Sequence, residues 1–102
     1  MKTVYLDNNA TTPIDPRVVE AMTPFLTENY FNPSSHYDPA RQVKEHLEKA
    51  RETILSFLGD PNGQLIFTGC ATESNNWVLN SALKNGRNHI ITTAVEHPSV
   101  YG

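Results

Sequence analysis

The 102-residue chain has a single cysteine, Cys70. One thiol cannot build an internal disulfide framework, and it fits a reducing compartment. No apolar run approaches the roughly 20 residues that a membrane-spanning helix needs, so no membrane association is expected. The opening Met1-Lys2-Thr3-Val4-Tyr5 lacks the apolar centre of a secretory signal and runs on to an acid at Asp7; the expected location is cytoplasmic. Basic blocks are missing too. Lys and Arg total 8 against 11 Asp and Glu, a net charge of −3 with both signs spread along the chain. Nucleic-acid binding therefore has no electrostatic footprint. Repeats and low-complexity tracts are absent. What remains is an ordinary soluble composition, 38% hydrophobic and 19% charged. The length allows one domain, or part of one, of modest stability.

The stretch that carries chemistry is Thr68-Gly69-Cys70-Ala71-Thr72-Glu73-Ser74-Asn75-Asn76. Before it, Gln64-Leu65-Ile66-Phe67-Thr68 reads as a short buried strand. After the glycine turn, Trp77, Leu79, Ala82 and Leu83 recur at helical spacing. They predict a helix from about Thr72 to Lys84, stopped by Asn85-Gly86. Glycine and small residues thus sit where a strand turns into a helix. Such a junction exposes unpaired N–H groups at the positive end of the helix dipole. It suits a phosphate, and Thr72 adds a hydroxyl donor. Spacing alone leaves open a plainer role for the glycine and threonine, as caps and nothing more.

The rest of the chain frames this turn. Val4-Tyr5-Leu6 is a short strand or extended arm, and residues 7–13 form a turn-rich loop. Asp15-Pro16 starts a helix with an apolar face of Val18, Val19, Met22, Phe25 and Leu26. Pro24 interrupts that face, so the helix ends near Ala21 or Met22 or kinks there. Residues 29–37 are a loop. Asp38 caps a second helix with Pro39 at its first position, and Val43, Leu47, Ala50, Ile54, Leu55 and Leu58 make it amphipathic. Glu45 and Lys49 are spaced to pair on it, and Gly59 ends it as a left-handed cap. This helix reads as packing. Asp60-Pro61-Asn62-Gly63 is a turn. Residues 89–93 form a second strand, Glu96-His97 lies in the loop after it, and Pro98 opens another helix. Strand–helix–strand order predicts an α/β parallel sheet. The turns at Ala71-Thr72 and at His97 both follow strand ends, so they share the edge where such sheets bind ligands.

Residues 70–76 resemble the phosphate-binding motif of the NifS/IscS-like cysteine desulfurases, pyridoxal-phosphate enzymes of the class V aminotransferase family. Residues 4–13 look like that family's opening, and Asn32-Pro33-Ser34-Ser35 and Thr93-Ala94-Val95-Glu96-His97 match it in the same order. The resemblance covers essentially the whole chain but only the N-terminal portion of the family. It implies the start of a fold type I large domain, α/β with parallel strands and packing helices, preceded by an N-terminal arm and helix. On this reading residues 1–37 are arm, first helix and loop, and residues 38–102 are the long helix plus a strand–helix–strand unit. In that fold the two strands are not neighbours.

The same resemblance implies pyridoxal 5'-phosphate as cofactor. Ala71 and Thr72 would hold its phosphate through backbone N–H groups and the Thr hydroxyl. His97 would stack on the pyridine ring, where an imidazole can also move protons. Without the resemblance, His97 reads as a loop histidine hydrogen-bonded near a helix start. Asn8 and Ala10 would belong to a segment folding over the site. The 29–37 loop departs from the family, which commonly has His two residues after the paired serines and Gly three further on. Those positions hold Tyr37 and Ala40, and His36, one residue early, reads as a surface histidine. Cys70 stands where relatives carry Gly or Cys. It reads as a small buried residue, with a persulfide carrier as the other reading.

The family's Schiff-base lysine, pyridine-binding aspartate and nucleophilic cysteine belong to later motifs that no stretch here matches. The chain alone is therefore expected to be inactive. The implied whole-enzyme reaction converts L-cysteine to L-alanine and leaves the sulfur as an enzyme persulfide. A sulfur-acceptor or scaffold protein would then take it for iron–sulfur cluster or thio-cofactor assembly, and a homodimer is implied for the complete enzyme. Other readings are a selenocysteine lyase or other class V enzyme, and a non-catalytic module or half of a split enzyme.

Overall fold

A computed structural model describes residues 3–101; Met1, Lys2 and Gly102 lie outside the described residues. The chain divides into two units at the Gly63–Gln64 junction.

In the first unit, helix α1 spans Pro16–Thr27. Asp15 caps it, its carboxylate accepting the Arg17 N–H at 2.9 Å. Pro16 fills the first helical position, where no N–H is needed. The helix does not end at Ala21 or Met22 but runs through Pro24. Proline removes only the rung to the Glu20 carbonyl, and it falls where a single turn remains. The Thr23 hydroxyl donates to Val19 O at 2.7 Å and the Thr27 hydroxyl to Thr23 O at 2.9 Å. Pro24 O in turn accepts the N–H groups of Glu28 and Asn29. The Arg17 guanidinium beside Asp15 holds its carboxyl below the usual carboxylate range, and Arg17 rises in response.

Helix α2 spans Asp38–Phe57. Its N-cap is Tyr37, not Asp38, and Pro39 is the second helical residue. Asp38 thus acts as a first-turn acid facing the dipole, 3.4 Å from Arg41. The ion pair formed further along is Glu48–Arg51 at 2.7 Å. Glu45 and Lys49 are not within ion-pair distance among the described residues. Gly59 ends the helix at φ +76. Its N–H donates to Ser56 O and that of Asp60 to Leu55 O, the two bonds of a Schellman cap. Gly63 N–H then closes a turn onto Asp60 O at 3.1 Å. Between α1 and α2, Asn32 Oδ1 accepts the Ser34 N–H at 2.9 Å. Phe31 stacks with Tyr30 and meets Tyr37 edge-on. Phe25 of α1 meets His46 of α2 edge-on at 5.2 Å.

In the second unit, helix α3 spans Ala71–Lys84. It ends in a second Schellman cap at Gly86, φ +78, with Gly86 N–H on Leu83 O and Arg87 N–H on Ala82 O. A 3-10 turn follows at Pro98–Val100, where Pro98 is expected to open a helix, and it packs against α3. The expected strands over 64–68 and 89–93 are not assigned, and no strand occurs among the described residues. A strand exists only with a ladder partner, and these two segments do not pair with each other. Nor is the first of them buried: Ile66 and Phe67 are exposed. Ala40 alone is buried among the described residues, while Phe57, Ile91 and Val95 stand about nine-tenths exposed (90%, 88% and 90%).

Candidate functional site

The open start of α3 is the most distinctive local feature. Its N-cap, Cys70, is extended (φ −165, ψ 167) and makes no side-chain capping bond. Ala71, Thr72 and Glu73 form the first turn, where no helical carbonyl lies four residues back. The loop braces itself from inside. Gly69 N–H donates to Glu73 Oε2 at 2.7 Å, and the Thr68 hydroxyl donates to Cys70 O at 3.2 Å while lying 2.6 Å from Ser74 Oγ. Ala71 and Thr72 are exposed, and neither N–H has an acceptor among the described residues. Cys70 is exposed rather than buried.

His97 caps the 3-10 turn (φ −63, ψ 145). Its Nδ1 accepts the Ser99 N–H at 3.1 Å and lies 2.9 Å from Ser99 Oγ. Asn75, in the second turn of α3, donates from Nδ2 to that same Oγ at 2.9 Å. The local bond is the one a loop histidine at a helix start makes. The Asn75–Ser99 link adds a connection to α3, and the ring stays exposed. The segment leading to His97 is clamped by Tyr101, whose hydroxyl donates to Thr93 O and accepts the Glu96 N–H, both at 2.8 Å.

Residues 4–101 match the family model for aminotransferase class V. The chain belongs to the class V aminotransferase family. A cysteine desulfurase of Enterobacter agglomerans is 53% identical over 102 residues, which covers 97% of this chain and 25% of that protein. The cysteine desulfurase NifS of Azotobacter vinelandii is 48% identical, over 98% of this chain and 26% of that one. A solved NifS-like protein superimposes with a TM-score of 0.85 at 44% identity, covering 96% of this chain and 28% of its own. This class V chain therefore shares the fold of a NifS-like protein and spans about a quarter of the length of the relatives it matches.

The groups this class V chain presents suit a phosphate. The first turn of α3 carries two exposed N–H donors and a threonine hydroxyl, and the nearby Glu73 carboxylate is engaged by Gly69 N–H. Ala71, Thr72 and His97 all lie in the second unit. Asn8, Ala10 and His36 lie in the first. There Ala10 N–H closes a turn on Asp7 O, and His36 acts through its carbonyl, which accepts the Arg41 guanidinium at 2.9 and 3.1 Å. Sequence reasoning missed Asn75 and Ser99. For Ser99 the available signal was the run His-Pro-Ser, an N-cap followed by a proline and a residue able to return a bond to the cap; Asn75 carried none. No helix among the described residues is long and apolar enough to cross a membrane.

Proposed function

We propose that this chain is the N-terminal portion of a cysteine desulfurase-like enzyme and that its α3 start binds pyridoxal 5'-phosphate. The observation that carries this reading is the uncapped first turn of α3 in a chain 53% identical to the cysteine desulfurase of Enterobacter agglomerans over the length they share. Ala71 and Thr72 donate backbone N–H groups to the phosphate, and the Thr72 hydroxyl adds a third donor. Gly69, lacking a side chain, lets the ligand approach the backbone. His97 offers a flat ring for stacking and a nitrogen that can hold a proton. When bound, the cofactor supplies an electron sink for the substrate carbons. The substrate is L-cysteine, released as L-alanine after its sulfur passes to an enzyme persulfide and on to an acceptor or scaffold protein. Segments 64–68 and 89–93 become parallel strands in a sheet completed by strands from elsewhere in a homodimeric, cytoplasmic enzyme.

The lysine that such chemistry requires is not at this site. Lys84 is the one lysine of the second unit, and it closes α3. Thirteen residues of helix put it ~20 Å from Ala71. That observation keeps a second reading, a cofactor-binding module that pairs with a separate lysine-bearing chain. The test is the intact mass of the protein as its own cell makes it, followed by an assay of alanine formation from L-cysteine. A mass several times 11.4 kDa with alanine formed supports the first reading. A mass near that value with a co-purifying second polypeptide favours the module. Alanine and sulfide production by the 102-residue chain alone would refute both.

A further inference from the structure

The hydrogen bonds at His97 have a direction. A backbone N–H can only donate, so the ring nitrogen that meets the Ser99 N–H, Nδ1, is the unprotonated one. Ser99 Oγ lies 2.9 Å from the same nitrogen and must donate to it as well. It is free to do so because Asn75 Nδ2, 2.9 Å away, donates into its lone pair. The run is consistent from end to end: Asn75 N–H to Ser99 oxygen, Ser99 O–H to Nδ1. Asn75 and Ser99 are both half-buried, whereas His97 is exposed. The Tyr101 clamp holds the backbone that leads into the ring.

We propose that Asn75 and Ser99 are positioning residues that lock His97 as its Nε2–H tautomer, leaving Nε2 as the one ring nitrogen available to a ligand. The lock ties the histidine to the helix whose first turn carries Ala71 and Thr72. A shift of α3 on loading would reach the imidazole through two hydrogen bonds. The consequence for chemistry rests on the reading of His97 as a cofactor-ring partner. In that role the ring presents a donor from Nε2, and it cannot take up a proton there before giving one away. The lock itself requires no cofactor.

The test is the nitrogen spectrum of the protein as its own cell makes it, labelled with 15N-histidine and recorded above the titration range of imidazole, with and without added pyridoxal phosphate. His97 is expected to show one tautomer, with a pyridine-like Nδ1 and a pyrrole-like Nε2. His36, exposed and outside the segments proposed for the sheet, serves as the averaging reference. Asn75→Asp replaces a donor with an acceptor, which draws the Ser99 O–H away from Nδ1. It should move the His97 signals toward the averaged position while those of His36 stay put. Ser99→Ala should do the same, and Ser99→Thr, which keeps the hydroxyl, should restore the lock. Far-UV circular dichroism identifies any variant that has lost α3. A pyrrole-like Nδ1 in the unaltered protein overturns the proposal without any variant. So does a His97 signal that fails to move in folded Asn75→Asp and Ser99→Ala proteins. A locked tautomer in a protein that takes up no pyridoxal phosphate supports the lock and removes the cofactor reading.

Discussion

Helix α1 begins closed and helix α3 begins open. At α1 the Asp15 carboxylate takes the Arg17 backbone N–H and the guanidinium Nε–H and Nη2–H at 2.8 to 3.0 Å, and proline occupies the position where an N–H would go unpaired. At α3 the N-cap is Cys70, whose side chain accepts nothing, and Ala71 and Thr72 after it keep their N–H donors. A conventional capping residue would contribute about 1 kcal/mol there. An anion held by two backbone donors gains more, about 1.5–3 kcal/mol for each charge-assisted bond. If α3 binds the proposed phosphate, its bare start costs the empty chain and favours the loaded one. Helix α2 stands between the two. Tyr37 gives no side-chain cap, but Asp38 in the first turn and Pro39 at the second position temper its dipole and its unpaired donors.

The largest effect should come from removing a donor at α3 while keeping the helix. Ala71→Pro does this, because proline at the first helical position costs the helix nothing. Cys70 before it is already in the extended conformation that a following proline demands. Helicity by circular dichroism should be unchanged. The dissociation constant for pyridoxal phosphate in the intact protein should rise about 10- to 100-fold, the equivalent of one charge-assisted bond. Helix α1 already carries a proline at this position, Pro16. If affinity survives in the Ala71→Pro protein, the phosphate does not use this turn.

A smaller effect should follow from giving α3 the cap that α1 has. Cys70→Asp puts an acceptor at an extended N-cap, which should stabilise the protein by about 1 kcal/mol. The carboxylate would also repel an incoming phosphate and compete for its donors, so the melting temperature should rise while cofactor affinity falls. The opposite signs of the two readouts are the diagnostic. If both rise together, the open start of α3 is not reserved for an anion.

Much of this contrast could be read in the sequence, and the failures have physical causes. The apolar period and terminal glycines gave α2 and α3 nearly to the residue, because local periodicity and a positive φ leave little choice at Gly59 and Gly86. The run Gly69-Cys70-Ala71-Thr72 pointed to the bare helix start for the same local reason. Of the two outcomes expected at Pro24, a stop near Ala21 or Met22 does not occur, because the cost is one lost rung, which the last turn of α1 absorbs. The side-chain roles of Asn75 and Ser99 join residues 24 apart, a pairing no local pattern encodes. Strands at 64–68 and 89–93 were legible as β-rich runs but not as ladders, since a ladder depends on neighbours that a run does not specify. For the same reason the apolar character of Ile66 was read and its exposure was not.

The smallest effect concerns the closed end. Asp15 has its carboxyl lowered by Arg17, first through the side-chain bond and then through the backbone N–H. A carboxyl depressed in the folded state contributes stability that is present above the ordinary carboxylate value and is lost as pH falls through the lowered one. Arg17 stays charged throughout, so the window belongs to Asp15 alone. Asp15→Asn keeps an oxygen to accept the Arg17 N–H but removes the charge. Near neutral pH the variant should therefore melt slightly below the unaltered protein, and the gap should close on acidification below the usual carboxylate range. Both side chains are open to water, 89% for Arg17 and 42% for Asp15, so added salt should shrink the gap as well. Thermal melts across that acid range, at low and high salt, measure both. A gap that persists at the acid end would mean the asparagine disturbs the cap geometry itself. The closed start of α1 would then depend on shape more than on charge, which would bring it nearer to α3 than its ion pair suggests.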